Sequence, residues 1–168
     1  MIMLLCSQLS YAQFTKAELI ASGLTCSMCN LATQKQIQSL NFVDSVIPDL
    51  ELNAFHIYFN QTHEINFEMI RKKVEDAGFF VAELKVSYHK MSSHIYSNPL
   101  LFFENSVLCI DKYNAQKELH IFKFIDEGYL TLKELKKYRK LKQEMVLPSN
   151  SKDISVLQTK KMYHVVEE

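Results

Sequence analysis

Cys26 and Cys29, separated by two residues, form the stretch of this sequence with the clearest chemistry. Thiolate sulfur is a soft ligand that prefers soft metal ions to hard cations. A structural zinc site needs four ligands, whereas this loop offers two. The motif therefore predicts a low-coordinate site for one soft ion held by Cys26 and Cys29, with Cu(I) first and Hg(II), Zn(II) or Cd(II) as alternatives.

The residues on either side of the cysteines predict a strand that leads into a helix. Residues 17–24 have the pattern of a strand, and residues 29–40 have apolar positions at helical spacing. Ser27 or Thr25 is expected to cap the helix. Cys29 would then lie at the helix N-terminus, where free N–H groups and the helix dipole stabilise a thiolate.

The next elements complete a pattern of six. Residues 43–50 and 55–59 predict two strands, a helix follows and ends at Gly78, and alternating residues then predict a fourth strand. This order is the ferredoxin-like βαββαβ plan, an α+β domain with a four-stranded antiparallel sheet and two helices on one face. Pro48 cannot donate to a ladder, so its strand should lie at a sheet edge. Eight apolar residues should be buried: Leu19, Ile37, Leu40, Val46, Ile57, Ile70, Val74 and Leu84.

Residues 17–87 resemble a heavy-metal-associated domain, the fold of copper chaperones, of the N-terminal modules of copper-transporting ATPases and of periplasmic mercury-binding proteins. The resemblance rests on residues 23–29, 43–50 and 74–79, which lie in the family's order and at its spacing. It implies a partner protein that donates or accepts the metal, such as a copper-transporting ATPase. It also implies an aromatic side chain, Phe79, packed beside the metal loop.

The sequence departs from the family beneath the motif. Asn30 and Thr33 stand where the family usually has apolar residues, so the first helix should pack in a slightly different way. Neither departure affects the sulfurs.

The motif in this setting predicts metal trafficking, sequestration or resistance in the cell envelope. Two other functions use the same residues: a thiol–disulfide oxidoreductase, or a structural interaction protein with an inert Cys26–Cys29 disulfide. The sequence offers no Ser/His/Asp grouping, no paired carboxylates and no phosphate-binding Gly loop, so we expect a protein that is not an enzyme.

The chain divides into four predicted segments. Residues 1–12 have the shape of a short signal peptide, which predicts export or a periplasmic location, or a cytoplasmic one if the segment is not a signal. Residues 16–88 form the heavy-metal-associated domain, residues 89–98 a linker, and residues 99–168 a small α+β domain of unrecognised family. The linker contains three side chains that can bind copper, His89, Met91 and His94, but a polar linker without fixed geometry is the simpler interpretation.

The predicted C-terminal domain has strands at residues 100–110 and 119–125 and a helix within residues 131–145. A final strand candidate combines residues 154–157 with residues 162–166. The helix has a basic face, most simply a solvated surface, with an anionic membrane or partner surface as the alternative. Cys109, between two apolar residues, is expected to be a buried small hydrophobe.

The composition excludes several classes of protein. Lys plus Arg and Asp plus Glu number 19 each, so nothing in the charge favours nucleic-acid binding. Four cysteines among 168 residues are too few for a disulfide scaffold. No apolar stretch is long enough to predict a membrane span.

Overall fold

The computed structural model describes residues 14–60, 62–90, 96–97, 100–145 and 159–168. The predicted signal peptide, Met91, His94 and residues 154–157 lie outside the described residues. The elements in chain order are β1 (Phe14–Ser22), α1 (Ser27–Gln38), β2 (Val43–Asp49), β3 (Ala54–Phe59), α2 (Phe67–Asp76), β4 (Phe80–His89), β5 (Tyr96–Ser97), β6 (Leu100–Phe102), β7 (Ser106–Ile110), β8 (Leu119–Phe124), α3 (Leu132–Glu144) and β9 (Lys161–Glu167).

The first six elements follow the predicted βαββαβ order. β1 lies between β3 and β4 and is antiparallel to both, and β2 pairs with β3 at the edge of the sheet. Pro48 is thus on an edge strand, as predicted. All eight predicted core residues are buried. Period-2 and helical spacing therefore located this core correctly.

The sheet does not end at four strands. Its order is β2-β3-β1-β4-β8-β9-β7-β6-β5, so nine strands form one sheet. β8 pairs with β4 in antiparallel register from Lys85↔Lys123 to His89↔Leu119. The sheet therefore continues across the predicted boundary between residues 16–88 and residues 99–168. β4 has a second backbone edge that β1 does not use, and the later half of the chain supplies its partner strand.

Aromatic contacts join the two halves on the helical side of the sheet. Phe14 lies 4.8 Å from Phe103, and Phe67 lies 4.8 Å from Phe124, between ring centroids. Residues from both halves belong to one buried cluster. The helices α1 and α2 contribute Ile37, Ile70 and Val74 to it. The chain is thus α+β, with a shared core.

The later half differs from its predicted outline in one strand. The predicted strand at residues 100–110 is a hairpin, with β6 antiparallel to β7 around a turn at Phe103 and Asn105. β9 lies between β8 and β7 and runs parallel to β7. Three residues of the predicted linker belong to strands: His89 ends β4, and Tyr96 and Ser97 form β5.

α3 covers the sheet face opposite α1 and α2. In β8, Phe122 and Phe124 point into the main core, so Lys123 between them points to the other face. There its ammonium group contacts Glu134 of α3 at 3.0 Å and lies 5.9 Å from the Tyr138 ring. α3 has no buried residue, so it rests on the sheet through half-buried and charged side chains.

Candidate metal centre

A tight turn carries the chain from β1 into the cysteine loop. Gly23 has φ +91°, a left-handed conformation that glycine adopts without steric cost. A Cβ atom at Gly23 would lie 3.5 Å from Cδ1 of Phe79. Phe79 is half-buried and packs against the core. Phe79 therefore lies beside the loop, as the family resemblance implied.

Cys26 is the N-cap of α1. Its backbone is extended, with φ −147°, and its Sγ accepts a hydrogen bond from the backbone N–H of Cys29 at 3.2 Å. The predicted caps, Thr25 and Ser27, are wrong, since Ser27 is the first helical residue. The pattern of common capping residues could not reveal a cysteine cap, because cysteine is not among them.

The structure brings the two predicted site residues together. Cys26 and Cys29 are paired in a disulfide, with their Cα atoms 5.2 Å apart. Cys26 is exposed and Cys29 is half-buried. Both residues lie in the first turn of α1 or at its cap, where the N–H groups and the helix dipole favour negative charge on sulfur.

Cys109 is remote from the loop in both position and chemistry. It is fully buried against Leu100 and Val107 in a second, smaller cluster, as predicted. Burial, and then the negative charge of Asp126, raise the pKa of the Cys109 thiol to about 11. Its thiol thus stays protonated at neutral pH and is a poor metal ligand.

The described part of the chain places no further ligand cluster at the loop. Within it, no group of three or more His, Cys, Asp or Glu side chains gathers at one point. His89, a candidate from the sequence, lies at the end of β4 and pairs with Leu119.

Two buried polar side chains of α1 donate hydrogen bonds to carbonyl groups of the cysteine loop. Asn30 donates from Nδ2 to the carbonyl of Cys26 at 3.3 Å, and Thr33 donates from Oγ1 to the carbonyl of Cys29 at 3.0 Å. Both residues are buried. In the sequence, Asn30 and Thr33 differed from the apolar residues usual in the family, and nothing else indicated a role for them. The four-residue spacing from Cys29 to Thr33, typical of a helical hydroxyl bonded to a carbonyl, was the signal for the second contact.

The surface around the loop is apolar and open to solvent. Met28 is 70% exposed and Phe80 is 67% exposed. Phe80 begins β4 and pairs with Ser22, the residue directly before the turn at Gly23. An ion between the two sulfurs would therefore lie at an accessible apolar surface.

The two cysteine sulfurs form a set of ligands that fits a soft ion of low coordination number. In the disulfide state the sulfurs are already bonded to each other, and two electrons and two protons convert them to two thiols. Loss of the thiol protons then gives two thiolates from one short loop. Two thiolates suit Cu(I) or Hg(II), whereas Zn(II) would need ligands from outside this loop.

None of the helices in the described residues is long and apolar enough to cross a membrane.

No protein-family model matches the chain, and no curated protein matches it. Several solved structures resemble part of it. The yeast copper transporter domain CCC2A, solved in apo and Cu(I)-loaded states, is 26% identical, with a TM-score of 0.36; the match covers 40% of this chain and 89% of that one. The CopZ metallochaperone is 19% identical, with a TM-score of 0.38, 40% of this chain covered and 100% of that one. CopA from Bacillus subtilis is 20% identical, with a TM-score of 0.36 and coverages of 42% and 92%.

Proposed function

We propose that the reduced protein binds one soft metal ion, most readily Cu(I), between Cys26 and Cys29. The observation that carries the proposal is the meeting of two sulfurs in one exposed loop at the N-terminus of α1. The helix terminus favours the thiolate form. Phe79, half-buried beside Gly23, lies on one side of the loop.

A two-coordinate ion in this loop can be passed on. Two protein ligands leave room for a sulfur of another protein to join and then replace them. We infer a role in metal trafficking, sequestration or resistance in the cell envelope, with a donor or acceptor protein such as a copper-transporting ATPase. No chemical conversion is needed, so the protein would not be an enzyme. Export follows from the proposed signal peptide, and mass spectrometry of the mature N-terminus tests it.

Titration with Cu(I) against a chelating competitor, under reductant and without oxygen, tests the metal site. Cys26→Ser and Cys29→Ser should each abolish tight binding, because one thiolate remains. Cys109→Ser is the matched control, since Cys109 is buried away from the loop, and it should bind as wild type does.

Two results would contradict the site. One is a Cys26→Ser, Cys29→Ser double variant that retains wild-type affinity. The other is a loss of binding in Cys109→Ser while its circular dichroism spectrum stays unchanged.

The disulfide itself favours a second candidate, a thiol–disulfide oxidoreductase. A substrate thiolate would attack one sulfur of the Cys26–Cys29 bond and release the other as a thiolate. A second substrate thiolate would then resolve the mixed disulfide, so the substrate is oxidised and the loop becomes a dithiol. If reduced wild type binds no soft metal but is reoxidised through a substrate dithiol–disulfide couple, this function replaces the first. A disulfide that resists reductant in the folded protein would instead indicate an inert structural bond.

A further inference from the structure

α3 concentrates positive charge in a chain that is neutral as a whole. Its thirteen residues include six basic and two acidic side chains, while the whole chain has 19 of each kind. The excess positive charge on this one helix is therefore balanced by acidic residues elsewhere in the molecule.

Two ion pairs join the inner side of α3 to the rest of the molecule. Glu134 contacts Lys123 of the sheet, and Lys142 pairs with Asp126. The outer side is different. Among the residues that the structure describes, Lys133, Lys136, Lys137 and Arg139 form no ion pair.

The outer cations form a continuous stripe. Lys133, Lys136 and Lys140 follow one another at intervals of three and four residues, so they share one face of the helix. All three are exposed. Lys140 lies 3.8 Å from Glu144, but its side chain remains 89% exposed, so the charge is open to solvent.

Two large apolar side chains flank one end of this stripe. Leu132, the first residue of α3, is 77% exposed, and Phe80 at the start of β4 is 67% exposed. An antiparallel bridge between Glu83 and Leu130 aligns the two segments, so these side chains line the same surface groove. Cations beside protruding apolar side chains are the composition of surfaces that lie on a lipid–water interface.

We propose that the outer face of α3, the basic stripe, binds an anionic phospholipid surface, with Leu132 and Phe80 entering the headgroup layer. The flexible lysines of the stripe can each bind phosphates of mobile lipid headgroups. A purely acidic protein surface would offer no apolar contact to the exposed side chains of Leu132 and Phe80. Phe80 is paired with Ser22 at the turn into the cysteine loop. Bound this way, the protein would hold Cys26 and Cys29 close to the membrane surface. Lipid binding needs neither the metal nor the reduced loop, so it stands or falls separately from the proposed metal site.

Co-sedimentation of the full chain with vesicles tests the lipid surface. Vesicles of phosphatidylcholine, with and without phosphatidylglycerol, are compared at low and high salt. Wild type should bind only the anionic vesicles, and salt should weaken binding. The triple variant Lys133→Gln, Lys136→Gln, Lys140→Gln should lose about 100-fold in partition, since each cation contributes roughly fivefold.

A second triple variant of equal charge is the control. Lys35→Gln, Lys72→Gln, Lys112→Gln removes three exposed lysines outside α3 and should bind as wild type does. Circular dichroism confirms that both variants are folded; Lys and Gln have similar helix propensities. Leu132→Gln should weaken the binding that remains at high salt.

Three results would overturn the proposal. The first is no binding to anionic vesicles at low salt, and the second is equal loss of binding in both triple variants. The third is stripe-dependent binding to polyglutamate without binding to vesicles, which would identify an acidic protein as the partner.

Discussion

Asn30 is a buried side chain whose amide nitrogen forms a hydrogen bond while its amide oxygen does not. Its Oδ1 is buried without a hydrogen-bond partner. Its Nδ2 donates to the carbonyl of Cys26, which already accepts the backbone N–H of Asn30 at 3.1 Å. A buried acceptor without a partner costs free energy, so this residue supports the loop at the expense of stability.

Asn30→Leu should raise the free energy of unfolding by about 1 kcal/mol, because it removes the unpaired Oδ1, and the Cys26 carbonyl keeps the backbone N–H of Asn30 as a donor. Urea unfolding of the oxidised protein measures this. Thr33→Val is the control, since the Thr33 hydroxyl is hydrogen-bonded, and it should lower stability slightly. A loss of stability in Asn30→Leu would show that the hydrogen bond from Nδ2 to Cys26 outweighs the cost of the unpaired Oδ1.

At the scale of elements, the turn at Gly128 in the second half of the chain packs against α2. Gly128 has φ +88°, and a Cβ atom there would lie 2.8 Å from Cδ of Arg71. Arg71 pairs with Glu68 and Glu75 on α2. The close approach thus places the turn directly over this ion-pair group.

Gly128→Ala should destabilise the protein by about 1 kcal/mol more than Gly78→Ala does, because it displaces Arg71 from its partners. Gly78 has φ +90° with nothing within 4 Å of its Cβ position, so it carries the same backbone strain without the clash. Thermal unfolding compares the two. Equal destabilisation would show that the contact with Arg71 contributes nothing.

Lys123 links α3 to the sheet through a buried ion network. It is 5% exposed and contacts Glu83 and Glu134. Burial acts to raise the pKa of Glu83, but Lys123 and Lys85 outweigh it and hold that pKa below its ordinary value of 4.5. Because the folded pKa is the lower one, Glu83 contributes stability that is full above about pH 4.5 and is lost as pH falls through the folded pKa.

Lys123→Met should lower the free energy of unfolding at neutral pH by about 3 kcal/mol, since it removes one of the two lysines that pair with the half-buried carboxylate of Glu83. In this variant the free energy of unfolding should also fall less steeply as the pH is lowered. Urea unfolding at neutral and acidic pH measures both effects. Lys140→Met, which removes an exposed lysine, should change neither. An unchanged acid dependence in Lys123→Met would contradict the assignment to Glu83.

The elements of the first half were predictable because each leaves a local pattern. Alternation in β3 and helical spacing in α2 are visible in a few residues, and the structure agrees with both. The hairpin between β6 and β7 was missed, because its turn at Phe103 and Asn105 contains neither Gly nor Pro. Of the site, the two cysteines and their strand-to-helix setting were predictable, whereas the cysteine cap was not.

At the scale of the whole molecule, the pairing of β4 with β8 could not be read from the sequence. A strand's partners depend on distant residues, so alternation shows which face is buried and not which strand lies beside it. The aromatic residues that join the halves, such as Phe14, Phe67 and Tyr88, look like ordinary core positions. The division into domains at residues 16–88 and 99–168 stays a prediction.

A fragment of residues 1–90 tests that division. Without β8, the second edge of β4 loses its partner, and aromatic residues lose contacts to Phe103, Phe122 and Phe124. Aromatic pairs contribute about 1 kcal/mol each beyond their burial, so we expect the fragment to be at least about 3 kcal/mol less stable than the full chain. Urea unfolding compares the two. A fragment as stable as the full chain would show an independent domain.

β9 joins two parts of the sheet that would otherwise share no backbone hydrogen bonds. It lies between β8 and β7, and the strands β5, β6 and β7 connect to the rest of the sheet through it. Its parallel partner β7 precedes it by a long stretch of chain, from Ser106 to Lys161 in the first pair. Pairing across such a separation forms slowly, because loop closure costs entropy before contacts repay it. We therefore expect the β7 edge of the β6–β7 hairpin to stay unpaired until β9 docks beside it.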